Sequence, residues 1–341
     1  MKECIVNLDL PPEKRWVFLK TYKKEVNELL RYYINDFVEA DILFDSVNEY
    51  KEQLVSEEYL KEIDGIATIC DFSPDQILIA NLYYDLLKFY LGCTAFAVYN
   101  GTEILHSRNL DWHTKNDLLS KYSRVFDFQK NGKTVFKSIG WPGFIGVLSG
   151  TKPGKFSSTL NAVSSNDSPE IAAPISFLLR DILCSCNTFE EAKNKIEHTV
   201  IMSDCLILLS GIKKEDKAVI ERTPKRFATR TTEEDYIIVT NDYKLLQNSS
   251  STGNMLQDTS CGRYNNTQEL LLKKIPLNDR ECLKILQDDN IMMGITVQQM
   301  VFHNHSGNIK LIKPVSLLGN KIQFRITLYL SVYNHRLIGI K

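Results

Sequence analysis

Long apolar runs are missing from this chain of 341 residues. No stretch of about 18 consecutive apolar residues occurs, so no membrane-spanning helix is expected. The opening Met-Lys-Glu-Cys-Ile-Val-Asn lacks the apolar core of a signal peptide, and as written the chain is expected in the cytoplasm. Charge of one sign is lacking too: 41 Lys and Arg stand against 42 Asp and Glu, a net charge of −1. With no long basic run, nothing attracts nucleic acid, and no such partner is expected. The eight cysteines form no CxxC pair and no Cys/His cluster of zinc-finger spacing. Cys184-Ser-Cys186 is either half of a metal site or, the better reading, small residues buried on a helix. No metal and no cofactor is expected. With 43% hydrophobic residues and no low-complexity linker, the chain reads as globular with a sizeable core.

Helical patterning fills the first ninety residues. From Glu13 to Phe37, Trp16, Leu19, Val26, Leu29, Leu30 and Tyr33 recur at near-helical spacing. A second helix is predicted from Ser73-Pro74-Asp75-Gln76, a capping box with Pro in the first turn, to Tyr90, with Gly92 as its stop. Such helices either pack on the rest of the protein or touch a membrane. At Cys93 the pattern changes to small, β-branched and aromatic residues. Asn100-Gly101 then predicts a hairpin between 93–99 and 102–106, and Asn131-Gly132 a second between 122–128 and 133–139. Gly-rich loops follow at 141–143 and 150–154, then a strand at 156–163. Helices are predicted at 174–184 and 189–198, and strands at 205–209, 218–222 and 236–240. A polar loop at 247–253, helices at 268–274 and 280–288, and strands near Lys310 and at 322–330 complete an α+β pattern.

A two-residue Asn100-Gly101 loop sets Cys93 directly opposite Arg108, with Asp111 three residues beyond at the same end of the strand pair. A guanidinium beside a thiol favours the reactive thiolate. The plainer reading is a buried, inert Cys and a surface Arg–Asp pair. The chemistry sharpens if the Gly92–Cys93 bond is cleaved. Cys93 then carries both a thiol and an α-amine, whose reference pKa of about 7.7–8.0 suits it to act as base for its own side chain. Gly92, without a side chain, leaves the scissile carbonyl open to attack.

Cys93-Thr94 followed by His106-Ser107-Arg108-Asn109-Leu110-Asp111 resembles the mature N-terminus of the N-terminal-nucleophile cysteine amidases, with acid ceramidase and N-acylethanolamine acid amidase the nearest group. Residues 7–16, the run from Trp141 to Gly154 with the strand after it, and Thr240-Asn241 in 239–243 agree in order, so the resemblance extends to about Arg263. It implies an αββα four-layer sandwich formed by 93–341, preceded by a helical small-subunit segment, 1–92. It implies Cys93 as nucleophile, Asp111 as holder of its α-amine, Arg108 beside the sulfur, Asn241 as oxyanion donor and Arg263 nearby. The implied reaction is hydrolysis of the linear amide of an N-acylated lipid, ceramide or N-acylethanolamine, after self-cleavage between Gly92 and Cys93. The two fragments would stay together as a heterodimer, the first helices lining the acyl chain and touching a membrane peripherally. The relatives are lysosomal, an address this chain would reach only with an upstream signal. One departure stands out: where the family has Glu-Arg after Thr-Leu-Asn, this chain has Ala162-Val163. Ala162 keeps open an uncleaved, inactive relative that binds lipid or a partner; an N-acyltransferase is the other alternative.

Overall fold

A computed structural model describes residues 3–35, 51–87, 91–112, 114–246 and 259–314. The strand predicted at 322–330, the polar loop at 247–253 and the ends of two predicted helices, 36–37 and 88–90, lie outside the described residues.

Two sheets face each other. The larger runs in the order β1-β4-β5-β6-β7-β8-β9-β10. Its strands are β1 (Cys4–Asn7), β4 (Arg124–Lys130), β5 (Lys133–Gly140), β6 (Ser149–Lys152), β7 (Phe156–Asn161), β8 (Cys205–Ser210), β9 (Lys217–Arg222) and β10 (Phe227–Thr231). The smaller runs β11-β2-β3-β12-β13, from β11 (Tyr236–Val239), β2 (Leu91–Tyr99), β3 (Ile104–Trp112), β12 (Thr296–His303) and β13 (Asn308–Ile312). Ala95, Ala97 and Ile104 of the smaller sheet meet Leu206, Leu208 and Val219 of the larger one. The alternate residues Phe96, Val98 and Leu105 face outward onto Leu271, Leu283 and Leu286, as the two-residue period of a strand requires. Those leucines belong to α8 (Ser260–Lys273) and α9 (Asp279–Leu286). On the far side α6 (Ile175–Ser185) and α7 (Phe189–His198) cover the larger sheet. The layer order is αββα, as expected.

The first ninety residues differ from expectation in detail. The apolar period from Glu13 is not one helix: 3-10 turns at Pro12–Lys14 and Val17–Tyr22 precede α1 (Lys23–Asn35). A Cβ at Gly65 would overlap the Glu13 carbonyl, so α2 (Glu57–Ala67) presses its backbone against the first of these turns. The capping box at Ser73 forms, Gln76 N donating to Ser73 Oγ at 3.3 Å and Ser73 N to Gln76 Oε1 at 3.0 Å. The helix it opens stops early, dividing at Leu82 into α3 (Pro74–Asn81) and α4 (Tyr83–Leu87).

This N-terminal segment is built into the rest. β1 pairs in parallel with β4 at the edge of the larger sheet. Glu62 of α2, fully buried, receives Arg180 of α6 through Nη1 and Nη2, each at 2.7 Å, together with Arg15 Nη1 at 2.8 Å and Trp16 Nε1 at 2.6 Å. Between β3 and β4 a short α5 (Leu118–Tyr122) packs beside α1. The loop predicted at 150–154 is partly strand, since Ser149–Lys152 pairs with both β5 and β7. At the end of α6, Cys184 is exposed and Cys186 buried. Their carbonyls accept from Lys152 Nζ at 3.2 and 2.6 Å, which caps the helix. Among the described residues no group of three or more Cys, His, Asp and Glu gathers as a metal site would require.

Candidate active site around Cys93

β2 and β3 form the predicted hairpin in a different register. Tyr99 pairs with Ile104, Cys93 with Leu110 and Ala95 with Arg108, so Cys93 and Arg108 are not directly opposed. The loop is longer than the Asn-Gly rule supposes. The Asn100 side chain accepts from Thr102 N at 3.0 Å, Thr102 Oγ1 at 2.9 Å and Glu103 N at 2.9 Å. Asn100 N donates to Glu103 O at 3.0 Å, closing a four-residue turn around Gly101 at φ +96°. The shift is of two residues, so every side chain keeps its face. Arg108 still leans diagonally toward Cys93, and its Nη2 lies 3.1 Å from the sulfur.

Arg108 is fixed by more than the thiol. Nη1 donates to Leu148 O at 3.0 Å and to Ser149 Oγ, and Nη2 also donates to Leu160 O. A fork held on several acceptors is rigid in a way that an ammonium is not. The sulfur is 1% exposed, and burial pushes the Cys93 thiol up despite the guanidinium beside it. Arg108 favours the thiolate, as its place beside the sulfur implies, but in the uncleaved chain desolvation of the charged form outweighs that attraction.

Gly92 and Cys93 lie inside β2, with Gly92 opposite Asp111 and Leu91 opposite Trp112. Asp111 consequently faces α8, on the opposite side of β3 from Arg108. It is fully buried, Thr296 Oγ1 donates to its Oδ1 at 2.5 Å, and its Oδ2 has no hydrogen-bond partner among the described residues. Burial raises its pKa above the ordinary carboxyl value, a shift opposed by Arg263, Thr296 and Arg108.

Two residues distant in sequence complete the cluster. Asn241 follows β11, and its Oδ1 accepts from Cys93 N at 3.0 Å and from Arg263 Nη2 at 2.8 Å. Its Nδ2 donates to Ala162 O at 2.8 Å. That pattern fixes the amide orientation, since a flip would set donors against donors. In the uncleaved chain Asn241 thus holds the Cys93 nitrogen, and its own NH2 is occupied. Arg263 stands in the first turn of α8, which starts at Ser260, earlier than predicted. Its Nη1 donates to Cys93 O and, at 2.9 Å, to Thr94 Oγ1. Burial lowers its affinity for its proton.

The geometry brings Cys93, Arg108, Asn241 and Arg263 into direct contact, with Asp111 one strand away beside Gly92. Sequence reasoning missed Ser260, whose Oγ accepts from Asn241 N at 2.9 Å and donates to Thr240 Oγ1 at 2.9 Å. It also missed Thr296, which no local pattern marks, and Tyr84 of α4, whose hydroxyl donates to Asn161 O at 3.4 Å. His106 shares Arg108's face, but both its ring nitrogens are engaged, with Ser210 Oγ and Thr159 Oγ1 at 2.8 Å each. Burial, with Arg108 nearby, brings its pKa down to about 3, so it is neutral.

The chain is similar to known proteins over much of its length. Residues 99–309, more than half the chain, match the family model "Acyl-coenzyme A:6-aminopenicillanic acid acyl-transferase". Residues 1–57 match "beta subunit of N-acylethanolamine-hydrolyzing acid amidase". Acid ceramidases of Macaca fascicularis and Homo sapiens are each 32% identical over 251 residues, which cover 64% of this chain and 63% of theirs. The chain thus aligns with less than two thirds of those relatives. A solved structure, the Caenorhabditis elegans N-acylethanolamine-hydrolyzing acid amidase (NAAA) ortholog, superposes with a TM-score of 0.54 at 24% identity. It covers 62% of this chain and 93% of that one, a likeness of fold. The architecture is that of the N-terminal-nucleophile hydrolases. The chain, similar to acid ceramidases and over its first 57 residues to the beta subunit of N-acylethanolamine-hydrolyzing acid amidase, belongs to the acyl-coenzyme A:6-aminopenicillanic acid acyl-transferase family.

Proposed function

We propose that this protein is a self-activating cysteine amidase that hydrolyses the linear amide bond of an N-acylated lipid, a ceramide or an N-acylethanolamine. The observation that carries this reading is the environment of one residue. Cys93 has a guanidinium 3.1 Å from its sulfur and the Asn241 amide oxygen 3.0 Å from its nitrogen, next to a glycine in the preceding position.

In self-cleavage the Cys93 sulfur attacks the Gly92 carbonyl carbon, and the C–N bond breaks as the thioester forms, leaving Cys93 with a free amine. Water then cleaves the thioester to a Gly92 carboxylate and the thiol. In turnover the α-amine takes the thiol proton, and the sulfur attacks the substrate's acyl carbon. The amine product leaves with that proton, and water, deprotonated by the same α-amine, releases the fatty acid. Asp111 and Asn241 Oδ1 would hold the α-ammonium. Asn241 Nδ2 would exchange Ala162 O for the oxyanion, a contribution of roughly 10²–10³ in rate in hydrolases with such a donor. Residues 1–92 would remain as a small subunit. Tyr33, Tyr83 and Trp112, with ring centroids 5.1–5.9 Å apart, are proposed as part of the acyl-chain wall. The helices that carry the tyrosines are proposed to make the peripheral membrane contact.

The test is the intact mass of purified protein held at pH 4.5 and at pH 7.5. Cleavage after Gly92, abolished in Cys93→Ala, supports the reading; a chain whole at both pH values overturns it. The name of the matched family favours a second outcome, in which an amine instead of water resolves the thioester. Product analysis with added amine acceptors separates the two.

A further inference from the structure

The pairing of β12 with β3 contains one irregularity, and it falls at Asp111. From His303 back to Gln298 the register is regular, Gln298 standing opposite Leu110. Continued by one step, it would set Val297 opposite Asp111. The register shifts instead, and Thr296 takes that place. Val297 is the extra residue of a β-bulge and is buried in the main core on the other side. Bulges beside functional sites commonly re-aim a side chain in this way. Here the bulge replaces an isopropyl group by a hydroxyl at the one position that faces the Asp111 carboxylate.

Gly92, Asp111 and Thr296 thus form a row across three strands. On one side Thr296 Oγ1 meets Asp111 Oδ1 at 2.5 Å. On the other side Gly92 presents no side chain, and Asp111 Oδ2 is buried without a hydrogen-bond partner among the described residues. Thr296 Oγ1 has two further neighbours: Met293 N donates to it at 3.1 Å, and Met293 O lies 2.8 Å away as an alternative acceptor.

We propose that Thr296 is a positioning residue of the Cys93 site: its bulge-delivered hydroxyl holds Asp111 Oδ1 in either protonation state and leaves Oδ2 directed to the α-amine that cleavage creates at Cys93. With Asp111 ionised the hydroxyl donates to the carboxylate. With Asp111 protonated the acid donates to Oγ1, and the hydroxyl proton turns to Met293 O. On its own side of the sheet this carboxyl faces Arg263 of α8, while Arg108 of β3 and the Cys93 thiol of β2 act on it electrostatically from the opposite face. The hydroxyl is thus the local neutral group that answers a change in Asp111's charge. The inference rests on the proposed self-cleavage for its consequence, but not for its geometry.

Two arms test it. In Cys93→Ala protein with carbonyl-labelled aspartate, the Asp111 carboxyl resonance, assigned with Asp111→Asn, is titrated by NMR. Thr296→Val should move its midpoint to higher pH, because the ionised form loses a donor, and Thr296→Ser should restore it. An unmoved midpoint in a folded Thr296→Val protein overturns the proposal. In the Cys93 chain, Thr296→Val should slow self-cleavage at least tenfold and move its pH midpoint in the same direction, with Thr296→Ser near the parent. Slowing by one factor at every pH would make Thr296 merely structural and overturn its role. A parent that never cleaves would refute the proposed function, while the NMR arm would still decide the Thr296–Asp111 link.

Discussion

The Glu62–Arg180 pair gives the sharpest quantitative prediction. Both side chains are essentially out of water, at 0% and 3% exposure, and the two guanidinium nitrogens approach the carboxylate at 2.7 Å. Arg180 also lies over the Tyr59 and Phe128 rings, 4.4 and 5.1 Å from their centroids. Removing one partner of such a pair strands the other charge in apolar surroundings, which costs about 3–5 kcal/mol. Glu62→Gln should therefore lose about 3–5 kcal/mol in urea unfolding followed by circular dichroism, with Cys93→Ala as the uncleaved parent. Arg180→Met should lose less, because Arg15 Nη1 and Trp16 Nε1 still reach the Glu62 carboxylate at 2.8 and 2.6 Å. The double variant should lose less than the sum by about 1–3 kcal/mol, the coupling typical of groups in direct contact. A pH dependence follows. Burial alone would raise the Glu62 carboxyl, but the Arg180 charge and the hydrogen bonds outweigh it, and the net shift is downward from the model-compound 4.5. A lowered carboxyl contributes stability that is present above about pH 4.5 and is lost as pH falls through its folded-state value. The Glu62→Gln protein should thus show a smaller loss of stability on acidification than its parent. A Glu62→Gln variant within 1 kcal/mol of the parent at pH 7, or strict additivity in the double variant, would refute the claim that this pair ties α2 to α6.

Two further outcomes follow from the site. Arg108→Lys cannot serve the thiol and the Leu148, Ser149 and Leu160 acceptors together, so self-cleavage should slow about tenfold or more, ~1.4 kcal/mol or above, as followed by intact mass; an unchanged rate would remove Arg108 from the chemistry. Ala162→Glu puts a carboxylate on the residue whose carbonyl already accepts from Asn241. If the chain is stalled for want of that group, the variant should cleave faster at pH 4.5, and a rate unchanged or lower shows that the site works without it.

Much of the site was legible because its chemistry lies in two short runs, 92–94 and 106–111. The hairpin was found from Asn100-Gly101, and its register was misread because turn rules weigh the glycine and not the three bonds that the Asn100 side chain accepts. The error was of even parity, so the sulfur and guanidinium kept a common face. Asn241 and Arg263 came only from resemblance, since nothing local distinguishes them from a turn and a solvated charge. β12 escaped altogether. Its central Gln298 and Gln299 are both buried and break the alternation that marks a strand. Gln298 Nε2 donates to Ser123 Oγ at 2.7 Å, and Gln299 Nε2 to Asn109 Oδ1 at 3.1 Å. Partners more than a hundred positions away are invisible to a local window. The same holds for Thr296, whose placement depends on a strand pairing that no segment contains by itself.

The parallel pairing of β1 with β4 bears on how such a chain can be made. Strand edges left open recruit other chains, and among the described residues β4 has its outer side closed by residues 4–7 alone, a strand made well before β4 itself. A polypeptide started at Cys93 would carry the nucleophile at its N-terminus from birth, yet it would present β4 as a bare edge and lack the carboxylate that meets Arg180. The segment ahead of Cys93 thus supplies an edge strand whose neighbour is made more than a hundred residues later. Under the proposed self-cleavage, scission would have to follow folding, because β1 and the Glu62 carboxylate are packed into the body of the protein.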